Sequence, residues 1–246
     1  MELLLKIISD KHQIKLPYHL LKKYSFDEGV LVKTSFNQGA LELVALEAGL
    51  DTYRTHVASL RKQKQLLLQV HKHKTKRLII PPAYLKRHNY FIGDVVLIQF
   101  AQGLIVIKKL DLVKLGFEDN MIFKIMTVHK NAIKGKTPPF IQLQGKWLIN
   151  AGFTIGTSAM LSYSNNGQAI LFTPHHEPTR KVQKYGFPPQ ANILFRKYKN
   201  MAEPTPTLFL RGQWLQNAGY EHGDFLLIGY KQALIHLRKV DLVKLI

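Results

Sequence analysis

The chain has no cysteine. That excludes a disulfide scaffold, a cysteine-containing zinc finger and a thiol nucleophile. Acid is scarce as well: 16 Asp and Glu stand against 35 Lys and Arg in 246 residues, a formal net charge of +19 with histidine neutral. No apolar run approaches the ~18–20 residues that a membrane span needs. The opening Met1–Ser9 is apolar, but it lacks a basic leader region and meets Asp10 and Lys11 at once, so it does not read as a signal peptide. A basic disordered tail is excluded too, because 46% of the residues are hydrophobic and such tails cannot bury a core. The expectation is a cytoplasmic protein of one or two domains, at roughly 100–200 residues each. Its excess positive charge points to a polyanion partner, usually nucleic acid.

What is present is a repeat. Gly29, Gly93, Gly156 and Gly223 lie 64, 63 and 67 residues apart. Three residues before each stands an aromatic (Phe26, Tyr90, Phe153, Tyr220), and eight before each a leucine (Leu21, Leu85, Leu148, Leu215). Thirteen before stand Leu16, Ile80, Leu143 and Leu210; fifteen before stand Ile14, Leu78, Ile141 and Leu208. A coarser repeat overlies this one: the segment Lys109–Leu115 (KLDLVKL) recurs as Lys239–Leu245 (KVDLVKL). The chain therefore reads as four units in two halves, 1–117 and 118–246. The first half holds units 1–47 and 65–117 with a helical linker between; the second holds 118–173 and 190–246 with a Pro-rich linker between.

Each unit has the same local grammar. An apolar strand comes first (Leu3–Ile8, Gln65–Val70, Met121–Val128, Asn192–Tyr198), then a polar, basic connection. A second short strand follows, whose two apolar columns alternate with period two, as on a half-buried strand. One short helix then runs towards the aromatic. It opens on Pro17 or Pro81-Pro82 in the first two units, as suits proline in a first turn. In the last two it opens on Gly145 or Gly212 and carries Trp147 or Trp214. The anchor glycine marks a turn that needs φ > 0. Two more strands close the unit, joined at Asn37-Gln38-Gly39, Gln102-Gly103 or Asn166-Gly167, which is hairpin chemistry. The fourth unit has Lys231-Gln232 there, which is not. Such a β-β-α-β-β unit of about 45 residues is about at the size below which domains seldom fold alone, and it has unpaired strand edges. Exchange of strands between neighbouring units, around a shared core, resolves both difficulties.

The stretches Ile141–Gly156 and Leu208–Gly223 carry the pattern G-x-W-L-x-x-A-G-[FY]-x-x-G and resemble the SymE family of toxin-like proteins. Ile14-Lys-Leu-Pro17 and Leu78-Ile-Ile-Pro81 resemble the wider AbrB/MazE swapped-hairpin superfamily. The resemblance implies a mainly β fold with short helices, in which four tandem swapped-hairpin units pair within the chain into two pseudo-dimeric β-barrels. It also implies DNA binding through basic residues on the connection after the first strand and around the short helix.

The charge is uneven along the chain. Residues 1–45 are net +1, 46–117 net +9, 118–174 net +3 and 175–246 net +6. The second unit reads His71-Lys-His-Lys-Thr-Lys-Arg77 after its first strand, and its helix adds Lys86-Arg-His88. At the places the resemblance assigns to DNA, Lys72, Lys74, Lys76, Arg77, Lys86 and Arg87 form the main expected patch. Lys134, Lys136, Arg196, Lys199 and Arg211 add to it. Such cations contact phosphates and give affinity with little sequence information. The expected function is double-stranded DNA binding, as a transcriptional regulator or a nucleoid- or mobile-element-associated protein. Two alternatives stand beside it: a SymE-like toxin acting on RNA, and a non-catalytic scaffold subunit of a larger nucleoprotein complex.

No catalytic residue, metal site or cofactor is expected. A metal-dependent nuclease needs clustered carboxylates. Here Asp27, Glu28, Asp94, Glu221 and Asp224 sit beside the anchor glycines, where turn chemistry accounts for them. The eleven histidines show no helical zinc spacing and read as surface residues. Trp147 and Trp214 could stack bases, but their repeated position beside a leucine column favours core packing.

Overall fold

The computed structural model of the chain describes residues 1–46, 67–70, 77–130, 138–163, 169–174, 190–194, 196–197 and 205–245. It is mainly β with short helices, and its contacts divide it into two compact units, Met1–Leu112 and Val113–Ile246. The expected linker helix within 52–65 and the Pro-rich linker at 175–189 lie outside the described residues. No described helix is long and apolar enough to cross a membrane.

The first unit runs β1 (Glu2–Ile7), β2 (Ile14–Pro17), α1 (Tyr18–Lys23), β3 (Leu31–Asn37), β4 (Ala40–Leu46), β5 (Leu67–Gln69), β6 (Arg77–Ile80), α2 (Pro82–Arg87), β7 (Val95–Ala101) and β8 (Leu104–Lys109). Six strands form one antiparallel sheet in the order β1-β7-β8-β4-β3-β5, while β2 and β6 pair with each other. The order crosses the repeat boundary symmetrically. The first strand of the first repeat pairs with β7 of the second, and β5, the first strand of the second repeat, pairs with β3 of the first. The central β4–β8 pair joins the two copies. The anchor turns secure the same exchange: Gly93 N–H donates to Ile8 O at 3.0 Å, and Gly29 N–H donates to Val70 O at 3.1 Å.

The second unit runs β9 (Ile122–Thr127), β10 (His129–Lys130), β11 (Pro139–Gln144), α3 (Lys146–Asn150), β12 (Ser158–Tyr163), β13 (Ala169–Pro174), β14 (Gln190–Leu194), β15 (Arg196–Lys197), β16 (Pro206–Arg211), α4 (Gln213–Asn217), β17 (Phe225–Lys231) and β18 (Leu234–Val240), then a 3-10 turn at Leu242–Leu245. Its sheets are β14-β12-β13-β18-β17-β9 and β10-β11-β16-β15. Again first strands cross over, β9 onto β17 and β14 onto β12. The expected closed barrels are not seen: among the described residues none of these sheets closes on itself. The reason is local in the first unit. After Ile7 the chain leaves the large sheet and turns at Ser9–His12, and β2 then spends its ladder bonds on β6 alone. Two open layers therefore face one core.

The repeat columns are that core. All sixteen residues three, eight, thirteen and fifteen before the anchors are at most 4% exposed. They form one apolar cluster in each unit. The four anchors adopt φ of 84 to 90°. No atom lies within 4 Å of a Cβ built on any of them, so the backbone angle, not space, calls for glycine. The fourth hairpin turns one residue later than expected, at Gln232-Ala233, with Ala233 at φ 61°. Ala233 N–H donates to Ala151 O at 3.0 Å, as Gly103 N–H donates to Tyr24 O at 3.0 Å in the first unit.

Candidate nucleic-acid interface

The short helices of the first unit present cations because their apolar pairs are committed inward. Leu20 and Leu21 of α1 and Tyr84 and Leu85 of α2 are buried. The next two residues, Lys22 and Lys23 in α1 and Lys86 and Arg87 in α2, are exposed in the last turn, where positive charge suits the helix dipole. Ser25 at φ 64° and Asn89 at φ 60° then end the helices. Lys23 is paired with Glu2 at 2.7 Å. Lys86 and Arg87 have no carboxylate partner among the described residues. His88 stacks on the half-exposed Phe36, centroids 4.4 Å apart, and meets Tyr84 at 4.7 Å. Burial, then the neighbouring Arg87, lowers the His88 pKa, which favours the neutral ring.

Of the expected patch, then, Lys86 and Arg87 lie together on one helix. Lys72, Lys74 and Lys76 lie outside the described residues, between Val70, which is bonded to Val30, and β6, which Arg77 opens opposite Pro17. Lys134, Lys136 and Lys199 also lie outside them. Arg196 stands on β15 opposite Thr207, and Arg211 ends β16, exposed, opposite Phe140. Lys22 and Lys23 were not singled out from the sequence. The repeat register would have found them, since they fall seven and six residues before Gly29, as Lys86 and Arg87 do before Gly93.

Two histidines depart from the surface expectation. His12 is buried, with φ 50°, and its Nε2 lies 2.6 Å from Tyr90 O. The first connection therefore turns a ring inward where a phosphate contact was sought, leaving Lys11 exposed beside it. Lys6 Nζ donates to Lys15 O, and burial followed by the charge of Lys15 lowers the Lys6 pKa. His236 is buried on the outer face of β18, its ring centroid 4.5 Å from that of Phe117.

Two of the carboxylates beside the anchors, Asp94 and Asp224, are committed to turns. Asp94 accepts Phe91 N–H at 2.7 Å and Lys109 Nζ at 2.9 Å. Asp224 repeats this with Glu221 N–H at 2.6 Å and Lys239 Nζ at 2.7 Å. Among the described residues no group of three or more His, Asp or Glu could hold a metal ion. Trp147 is buried and Trp214 packs against the same core, and each indole N–H donates to the carbonyl preceding the helix glycine, Gln144 O at 2.8 Å and Arg211 O at 3.1 Å. The G-x-W signature is thus a packing device. No protein-family model matches the chain, and no curated protein matches it.

Proposed function

We propose that this chain binds double-stranded DNA without chemistry. In this reading it consists of four AbrB-type swapped-hairpin units, the last two SymE-like, paired within the chain as pseudo-dimers and acting in the cytoplasm on the nucleoid. The observation that carries it is the matched placement of cations in the first unit. The two repeats put Lys22-Lys23 and Lys86-Arg87 at the same exposed helix turn. Three more lysines, Lys72, Lys74 and Lys76, precede in sequence Arg77, which opens β6 of the β2–β6 ladder that α1 packs against. A pseudo-two-fold pair of cationic ends suits a duplex, whose phosphates present a matching two-fold. The commitment of Asp94 and Asp224 to turns supports binding over metal-dependent cleavage. The test is a titration of labelled duplex DNA with the full chain in rising salt. Tight binding at low salt that weakens steeply, by about 0.9 in log K per log salt for each phosphate contacted, is expected. Weak binding at low salt would refute it.

A further inference from the structure

The open face of the four-stranded sheet in the second unit carries a feature the repeat does not require. Along β11 and β16 the apolar columns Ile141, Leu143, Leu208 and Leu210 enter the core, while Phe140, Gln142, Phe209 and Arg211 stand on the other side. Phe140 and Phe209 stack there, centroids 5.6 Å apart and planes 16° from parallel, with Phe209 40% exposed. The register sets Arg211 opposite Phe140 and Gln142 opposite Phe209. The residues that correspond to Phe209 in the other repeats, fourteen before their anchors, are Lys15, Ile79 and Gln142. Packing therefore does not call for an aromatic at this position.

Two further observations say what the pair would meet. A hollow of about 490 Å³ adjoins it, lined by Met126, His129, Gln142, Gln144, Lys146 and Thr205 among others, which is small-ligand size and rich in amides. Along the four described strands the charge is of one sign. Lys130, Lys146 and Arg211 are exposed, and the four strands contain no Asp or Glu. Flat rings among cations suit bases carried on a polyanionic backbone. The bases of a duplex have their faces covered by one another, so only an unpaired strand can use the rings.

We propose that this face binds single-stranded nucleic acid, with bases stacking on the Phe140–Phe209 pair and phosphates meeting Lys130, Lys146 and Arg211. This goes beyond the duplex-binding reading: it concerns the other unit and a different form of nucleic acid, and it survives if duplex binding fails. Trp147 and Trp214, hydrogen-bonded to Gln144 and Arg211 at the two ends of this face, are its built-in reporters.

The experiment uses the full chain, a labelled single-stranded oligonucleotide of mixed sequence and its duplex form. Phe140→Ala/Phe209→Ala is expected to lose roughly tenfold or more in single-strand affinity, given the worth of base–aromatic stacking, while duplex affinity and melting temperature hold. Arg211→Gln is expected to lower the single-strand salt slope by about 0.7. Phe140→Leu/Phe209→Leu keeps apolar bulk without stacking, so it decides the matter if the alanine variant unfolds. The wild-type chain should show a change in tryptophan emission with the single strand. Single-strand affinity unchanged in a folded leucine variant, equal losses for duplex and single strand, or no single-strand binding at low salt would each overturn the proposal.

Discussion

Gly145 and Gly212 stand at φ 120° and 124° with ψ 175°, a region that only glycine occupies readily. A Cβ there would also lie 3.3 and 3.4 Å from the indole Cδ1 of Trp147 and Trp214. Strain and contact act together, so Gly145→Ala should destabilise the second unit by about 1–3 kcal/mol, measured by denaturant unfolding. Ala233 presents the reverse case: a residue with a Cβ held at φ 61° in a two-residue turn. Ala233→Gly should stabilise by about 0.5–1 kcal/mol, since relief of left-handed strain exceeds the added unfolded-state entropy; a lower melting temperature would contradict this. The anchor glycines were legible in the sequence because one spacing recurred four times. The role of Gly145 was not, because a glycine that opens a helix and a glycine that makes room for an indole look alike in one dimension. The turn at Ala233 was missed for a similar reason: its residue type does not signal a positive φ.

At the scale of the element, the short strands were legible from period-two alternation, and their exchange from the size of the repeat rather than from any strand's own residues. The layer they build was not, because closure depends on where β2 finds its hydrogen bonds. The outer covering of β18 was also hidden. His236 reads as polar and outward, yet Phe117 and Met121 close over Gly229 opposite it, and Phe117 meets its ring. Burial, then Arg238, lowers the His236 pKa below the ordinary 6.5, with Glu118 opposing. Its Nε2 has no hydrogen-bond partner among the described residues. The unfolded chain thus takes up this proton more readily than the folded one. The contribution to stability is complete above pH about 6.5 and is lost as pH falls through the range below it. Melting temperature should therefore drop more steeply with acidification in the wild type than in His236→Leu. Parallel curves would show that this ring plays no part. Burial likewise raises the Tyr90 hydroxyl pKa to about 12, and Tyr220 rises further. Tyr90 still donates to Ile107 O at 2.9 Å, so neither phenol titrates near neutrality.

Over the whole molecule the charge is shared almost equally, +9 in Met1–Leu112 and +10 in Val113–Ile246, yet unevenly within each. The duplicated KLDLVKL and KVDLVKL tails mark two halves in the sequence, and the contacts divide the chain after Leu112. The first boundary falls at 112 rather than 117 because Phe117 packs on Phe123 and His236, within the second unit. Composition pointed to the cations of the second repeat and the repeat register holds the matching Lys22 and Lys23, but the aromatic face at Phe140 and Phe209 needed the fold. Under the proposed duplex-binding role, affinity belongs to located cations and not to general basicity. The most direct measurement compares two full-length variants of equal net charge by duplex titration against salt. One carries glutamine at Lys72, Lys74 and Lys76, the other at the exposed Lys108, Lys114 and Lys244. The first should lose roughly tenfold or more in affinity and about 0.9 in salt slope per residue, while the second stays within about threefold of the wild type. Equal losses in the two variants would show that general basicity, not these lysines, holds the duplex.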